Sequence, residues 1–181
     1  RVQATKKSVF STRQYLWGRS IEAGVLADPW VEPPPETFQW TADPRNAPDE
    51  PEEVEITFER GRPVALNGKT LDGAELIADL NTIAGRHGVG RIDHVENRLV
   101  GIKSREIYEA PAAVVLHEAH REIEFLTLSK DAIRCKTMVS QQYADLISTG
   151  LGLSALHPDL MAFVLSNQQD VSGTAGVRPL S

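Results

Sequence analysis

The sequence predicts an α+β fold: a mixed or antiparallel sheet with a hairpin, packed against several helices. Three observations predict it. Residues 54–66 alternate apolar and polar side chains about the turn signal Glu59-Arg60-Gly61-Arg62, the pattern of a half-buried hairpin. Residues 89–108 hold Ile92, Val95, Leu99, Val100, Ile102 and Ile107 in the most β-rich stretch of the chain. Elsewhere the apolar residues recur at helical spacing. Strands and helices do not alternate as repeated βαβ units, so a parallel doubly wound sheet is not expected, and no internal repeat is present.

Taken in order, Val54, Ile56 and Phe58 form one hairpin arm and Val64 and Leu66 the other, with a second turn at Asn67-Gly68. Asp72 is a suitable N-cap for a helix whose Leu76, Ile77, Leu80, Ile83 and Ala84 make one buried stripe, closed by Gly85 or Gly88. Pro111 is tolerated in a first helical turn. The helix that follows, over 112–126, carries Val115, Ala119, Ile123 and Leu126 on one face. Further helices are predicted over 129–148 and 158–169. Residues 29–53 hold most of the prolines together with many acids, which excludes helix interiors and reads as an extended arm. Trp30, Phe38 and Trp40 along that arm are expected to tuck into a neighbouring surface, that of the chain itself before that of another subunit.

The 181 residues are 41% hydrophobic and 24% charged, enough to bury a sizeable core. A formal charge of −6 speaks against nucleic acid as a partner, because phosphate-backbone binding needs clustered Lys and Arg. Cys135 is the single cysteine, so no intrachain disulfide forms and a cytoplasmic setting is expected. No apolar run reaches membrane-spanning length, so no membrane partner is expected. The absence of an initiator Met points to a piece of a longer chain.

Several polar groupings are poor candidates for chemistry. His117 and His120 stand three apart beside Glu118, Glu122 and Glu124, whereas the zinc-protease pattern needs histidines four apart with Glu directly after the first. No metal site is expected there. Cys135 lies among Arg134, Lys136 and Met138 in an ordinary helical pattern and reads as a half-buried packing residue. Gly88-Val89-Gly90 lacks the Lys-Ser/Thr pair of a phosphate loop, so no nucleotide cofactor is expected on this chain. No residue is assigned a catalytic role.

The informative stretch is residues 90–111, which combine strand character with an unusual density of charge. Faces that only pack seldom hold so many ionisable groups, so a polar ligand or network is being positioned. Within it, Val95-Glu96-Asn97-Arg98, Gly101-Ile102-Lys103-Ser104-Arg105 and Tyr108-Glu109-Ala110-Pro111 stand at fixed intervals. These motifs and their spacing closely resemble the argininosuccinate synthase family. Upstream, residues 16–29 are similar to the segment leading out of that family's nucleotide-binding domain. The resemblance runs from about Thr5 to Gly173 and is weakest after Ser140.

The resemblance implies an ATP-dependent ligase of arginine biosynthesis that condenses citrulline and aspartate into argininosuccinate, in a cytoplasmic homotetramer. It implies that residues 1–28 lead out of an N-terminal nucleotide-binding domain that holds Mg-ATP. It further implies that 54–173 form the citrulline-binding synthetase domain and that 174–181 begin a C-terminal oligomerisation region. Carried over residue by residue, Ser11, Ser20, Glu96 and Tyr108 match family positions that bind citrulline. A carboxylate accepts charge-assisted hydrogen bonds from an ammonium or ureido N–H, and a phenol both donates and accepts. Glu96 and Tyr108 are therefore expected on one surface. Three positions depart from the family pattern: Arg13 replaces an acid, Ser148 a tyrosine and Gly152 a tryptophan. A non-catalytic assembly module of the same fold is the alternative reading.

Overall fold

In the computed structural model, which describes residues 10–178, the charged stretch becomes an antiparallel ribbon: β6 (Arg91–Asn97) pairs with β7 (Lys103–Glu109). Two short strands that the sequence reading left unassigned complete the sheet. β2 (Arg19–Glu22) pairs antiparallel with β7, and β1 (Ser11–Gln14) with β2, giving the order β1-β2-β7-β6. A second sheet has the order β5-β4-β3-β8. It is built from the predicted hairpin β3 (Val54–Glu59) and β4 (Arg62–Leu66), the two-residue β5 (Lys69–Thr70), and β8 (Gly173–Val177). Four helices follow the predicted positions: α1 (Gly73–Arg86), α2 (Pro111–Thr127), α3 (Lys130–Ser148) and α4 (Leu156–Asn167). The expected α+β class is therefore the observed one. Residues 1–9 and 179–181, the ends of the segments read as domain lead-in and oligomerisation region, lie outside the described residues.

The described chain divides into two compact units. One comprises residues 10–54, 71–117 and 177–178, and the other residues 55–70 and 118–176. In the first unit, successive residues of a strand point to opposite faces, so the register sorts the first sheet into an apolar inner face and a polar outer one. The inner face presents Ile21 and Ile107, which are register partners and are buried with Leu26, Phe10 and Phe38 packing alongside. At 25 cal/mol per Å², burying such a side chain is worth about 1.5–3 kcal/mol. Arg19 and Glu109, one step along the same face, are buried as well, their ion pair closing at 2.6 Å.

Glu109 also organises the proline-rich arm. Its carboxylate accepts from the Gln39, Trp40 and Thr41 backbone N–H groups at 3.0, 2.8 and 2.9 Å and from the Thr41 hydroxyl at 2.8 Å. Arg19 also donates to the Thr37 carbonyl at 2.7 Å. Arg91 lies 3.8 Å over the Phe38 ring and donates to the Thr41 and Ala42 carbonyls. The arm thus consists of short 3-10 turns at Pro35–Thr37 and Pro44–Asn46 on a fixed anchor. Of its three aromatics, Phe38 packs on the core whereas Trp30 remains 94% exposed.

Asp72 caps α1 by accepting from the Ala74 and Glu75 N–H groups at 2.8 and 2.9 Å. The two candidate closing glycines have different tasks. Gly88, with φ +73, sits just past the helix end, where the left-handed conformation favours glycine. Gly85 is inside the helix, and a Cβ there would meet the Trp40 carbonyl oxygen at 2.2 Å. Asn81, further back on α1, donates to the Leu16 carbonyl and accepts from the Ala112 N–H, tying the β1–β2 turn to the start of α2.

In the second unit Phe58 is buried under the His120 ring, at 5.5 Å between centroids. His120 shares a 2.8 Å hydrogen bond with Gln168, whose amide donates to Glu124 at 2.6 Å. Lys136 of α3 adds a 2.9 Å ion pair to Glu124. His117, in the first unit, meets the edge of Trp17 at 6.3 Å. At the end of α3 and just beyond it, where the family pattern would place aromatics at 148 and 152, Leu151 and Leu153 are exposed.

Removing Glu109 leaves Arg19 buried without its counter-charge and releases the arm from its anchor. Glu109→Ala is expected to destabilise the fold by about 3–5 kcal/mol, read as a shift in the urea-unfolding midpoint. A loss under about 1 kcal/mol would show that the pair is dispensable.

Candidate functional site

The outer face of the first sheet carries the candidate site. Register pairs Ser20 with Tyr108 across β2 and β7, and Tyr108 with Ile92 across β7 and β6. Ser11 lies opposite Glu22, which lies opposite Glu106, and Glu96 lies opposite Ser104. With side chains alternating along each strand, Ser11, Ser20, Glu96 and Tyr108 all fall on this one face. The register therefore sets all four sequence-predicted residues on the same face of the sheet. Ser20 and Tyr108 are direct cross-strand neighbours. Glu96 stands four residues along the ladder from Ile92, the partner of Tyr108, or roughly 13 Å of strand.

Between them lie residues that sequence reasoning did not single out. Glu106, only 6% exposed, accepts a 2.6 Å hydrogen bond from the Tyr108 hydroxyl through one oxygen and a bond from Arg98 through the other. Arg98 also binds Glu22, and its Nε donates to the Ser104 hydroxyl at 2.9 Å. The His94 ring lies 5.4 Å from that of Tyr108. Three carboxylates, Glu22, Glu96 and Glu106, thus gather around one guanidinium. Arg13, the charge-reversed position, faces Glu22 at 3.6 Å, so its positive charge is answered within the site. The available signal for Glu106 was parity: it stands two residues before Tyr108 on one strand and must share its face.

The charges polarise one another. Hydrogen bonding to Glu106, with burial and repulsion from the same carboxylate, raises the Glu96 titration above its ordinary value. Burial works against ionisation of Glu106, yet the bonds from Tyr108 and Glu96 and the charge of Arg98 outweigh it and hold Glu106 low. Burial, and then the bond to Glu106, push the Tyr108 phenol well above its ordinary value. The site therefore presents a neutral phenol beside two carboxyl groups, Glu96 and Glu106, whose titrations are pushed in opposite directions.

These shifts carry opposite signs for stability. Glu106, lowered in the fold, contributes stability above the unfolded carboxylate range and loses it as pH falls through its folded value. Glu96, raised in the fold, contributes below its unfolded value and loses that contribution as pH rises through its folded one. Arg98→Met should raise the titration of Glu106 and so shrink the stability gained between about pH 3 and about pH 7. The check is the unfolding midpoint at both pH values, and an unchanged difference between them would contradict the charge balance described.

Two open clefts lie elsewhere in the first unit. One, of about 840 Å³, is lined by residues including Tyr15, Leu16, Trp40, Asn81 and Arg86, and the other, of about 550 Å³, by residues including Pro33, Phe38, Asp43, Arg45 and Arg91. Neither contains the four predicted residues. Among the described residues no group of three or more His, Cys, Asp or Glu is placed to hold a metal ion, and no helix is long and apolar enough to cross a membrane.

Comparison with known proteins agrees with the sequence motifs. The family model for the arginosuccinate synthase C-terminal domain matches residues 10–179. The chain is 56% identical over 177 residues to an argininosuccinate synthase of Symbiobacterium thermophilum, covering 98% of this chain and 44% of that protein. It is 57% identical over 177 residues to one of Dehalococcoides mccartyi, with the same coverage. A Geobacillus kaustophilus argininosuccinate synthase is 53% identical over 171 residues, covering 94% of this chain and 42% of its own length. The chain thus spans less than half the length of these curated relatives. With the motifs at their family spacing and residues 10–179 of the chain matched, the chain belongs to the argininosuccinate synthase family, in the part that forms its C-terminal domain.

Proposed function

We propose that this domain supplies the citrulline-binding face of an ATP-dependent ligase that joins citrulline to aspartate. The observation that carries the reading is the register of the first sheet, which sets Ser11, Ser20, Glu96 and Tyr108 on one polar face. Hydroxyls and a carboxylate suit a zwitterionic ureido amino acid, because its ammonium and ureido N–H groups need acceptors and its oxygens need donors. The same face suits a polyphosphate poorly. Glu22, Glu96 and Glu106 outnumber Arg13 and Arg98 there, and the net charge would repel a triphosphate. In this reading Mg-ATP and the aspartate co-substrate are held by the N-terminal part of the full enzyme, and this domain holds citrulline still while its ureido oxygen is activated. The gain is one of positioning. A cytoplasmic homotetramer is the assembly this reading carries with it.

Two substitutions in the full-length enzyme test the reading. Glu96→Gln keeps shape but removes charge and is expected to weaken citrulline binding by about 1.5–3 kcal/mol, as for a hydrogen bond to a charged group. Tyr108→Phe should cost about 0.5–1.5 kcal/mol. Citrulline affinity and melting temperature are measured for both. Unchanged affinity with a large loss of melting temperature would show that these residues serve the fold and not the substrate.

The isolated chain, having no phosphate loop in its sequence, is expected to form no AMP from ATP in the presence of citrulline and aspartate. Citrulline-dependent AMP from a clean preparation would overturn that expectation.

A further inference from the structure

Glu106 uses both of its carboxylate oxygens inside the site, one for Arg98 and one for the Tyr108 hydroxyl. A phenol has one proton to give. With that proton directed at Glu106 over 2.6 Å, the Tyr108 oxygen has only lone pairs left for a ligand. We propose that Glu106 is a specificity-determining positioning residue: it makes Tyr108 a hydrogen-bond acceptor, so that this end of the face receives an N–H group of the amino-acid substrate and disfavours an oxygen acceptor. The proposal rests on the reading of this face as the citrulline site.

The geometry supports it from three sides. Glu106 is 6% exposed, so water does not compete freely for its oxygens. Arg98 holds the second oxygen and itself bridges to Glu22 and Ser104, which fixes the carboxylate plane and keeps Glu106 from turning away from Tyr108. Ser20, directly across from Tyr108, brings a hydroxyl that can both donate and accept and so can serve an oxygen of the same ligand. The face is therefore divided by function: Tyr108 accepts, Ser20 donates or accepts, and Glu96 accepts a cationic or amide N–H. The groups facing Glu106 are Glu22, Glu96, Arg98 and Tyr108, with His94 as its register partner on β6. The raised phenol titration of Tyr108 agrees with a hydroxyl that keeps its proton.

The experiment uses the full-length enzyme carrying Glu106→Gln, Glu106→Ala, Tyr108→Phe and the Glu106→Gln/Tyr108→Phe pair. Citrulline KM and kcat are read for each, and the Tyr108 phenol titration is taken as the ultraviolet difference between each protein and its Tyr108→Phe counterpart. Both Glu106 variants should raise citrulline KM by about tenfold, the equivalent of one lost hydrogen bond, with a smaller fall in kcat. The phenol titration should move down toward the ordinary range, and in the Tyr108→Phe background Glu106→Gln should shift KM by less than about twofold. If Tyr108→Phe raises KM and Glu106→Gln does not, this inference fails and the citrulline reading survives. Equal KM losses from Glu106→Gln with and without the phenol would also overturn it, by showing that Glu106 does not act through Tyr108. If neither Tyr108→Phe nor Glu106→Gln moves KM, the citrulline reading falls and the inference with it. An ordinary phenol titration in the parent protein overturns the inference without any Glu106 variant.

Discussion

Glu109 is a fully buried carboxylate that receives hydrogen bonds from Arg19, from three consecutive backbone N–H groups at 39–41 and from the Thr41 hydroxyl. A buried charge with its partner removed costs several kcal/mol, so this position on β7 has one tolerable orientation. That constraint reaches the outer face. A strand has a side-chain period of two, and a slip of one residue would turn Glu109 outward and bury Tyr108. Holding Glu109 inside therefore places Tyr108, Glu106 and Ser104 outside, and pairing with Arg19 on β2 places Ser20 and Glu22 beside them. The polar face is aligned by a charge that lies on the opposite face of the sheet.

The two faces handle charge by different rules. Inside, the Arg19–Glu109 pair and the Arg105–Asp93 pair are matched one cation to one anion. Arg105 also donates to the Asp28 and Val31 carbonyls, which draws the start of the arm toward β7. Outside, the match is deliberately incomplete in number, with three carboxylates against Arg98 and Arg13. Surplus negative charge at a face that is only partly solvated stabilises a ligand that brings an ammonium. The same crowding of carboxylates pushes the Glu96 titration upward.

Much of this was legible in the sequence. The hairpin at 54–66, the Asp72 cap and the four helices follow from periodicity and turn chemistry, and the family motifs named the four candidate residues. The strand character of 89–108 was legible but its turn was not: Lys103-Ser104-Arg105, read as an interruption, lies within β7, and the apolar Leu99, Val100 and Ile102 stand exposed in the connection. β1 and β2 escaped because Ser11-Thr12-Arg13-Gln14 contains no apolar residue and Arg19-Ser20-Ile21-Glu22 contains one, so neither shows a strand alternation. Their strand character comes from pairing with β7, a long-range effect that local propensity does not report. Arg19 likewise reads as a solvent-facing charge until Glu109, ninety positions away, is seen to bury it. β8, at Gly173–Val177, is short and glycine-containing, and it too depends on its neighbour in the second sheet. Glu106 was hidden among other charges, since its role appears only once the register sets it between Glu96 and Tyr108.

The charge balance of the site depends finally on a backbone turn. Arg98 opens the connection between β6 and β7, where its N–H donates to the Ile102 carbonyl at 2.9 Å and its carbonyl accepts from the Gly101 N–H at 2.8 Å. Gly101 has φ +80, a conformation that side-chain-bearing residues rarely adopt, and no atom stands near its missing Cβ. Glycine is thus required there by conformation and not by crowding. The closed turn brings the Arg98 guanidinium back over Ser104, Glu106 and Glu22, whereas a looser connection would leave it in solvent, where an ion pair is worth little. Glu106 can accept the Tyr108 hydrogen bond as a carboxylate because Arg98 offsets its charge, and Arg98 is in reach because of that turn. The Gly-Ile-Lys-Ser-Arg motif, which in sequence looks like a run of ligand-binding charges, therefore serves the site first through its glycine.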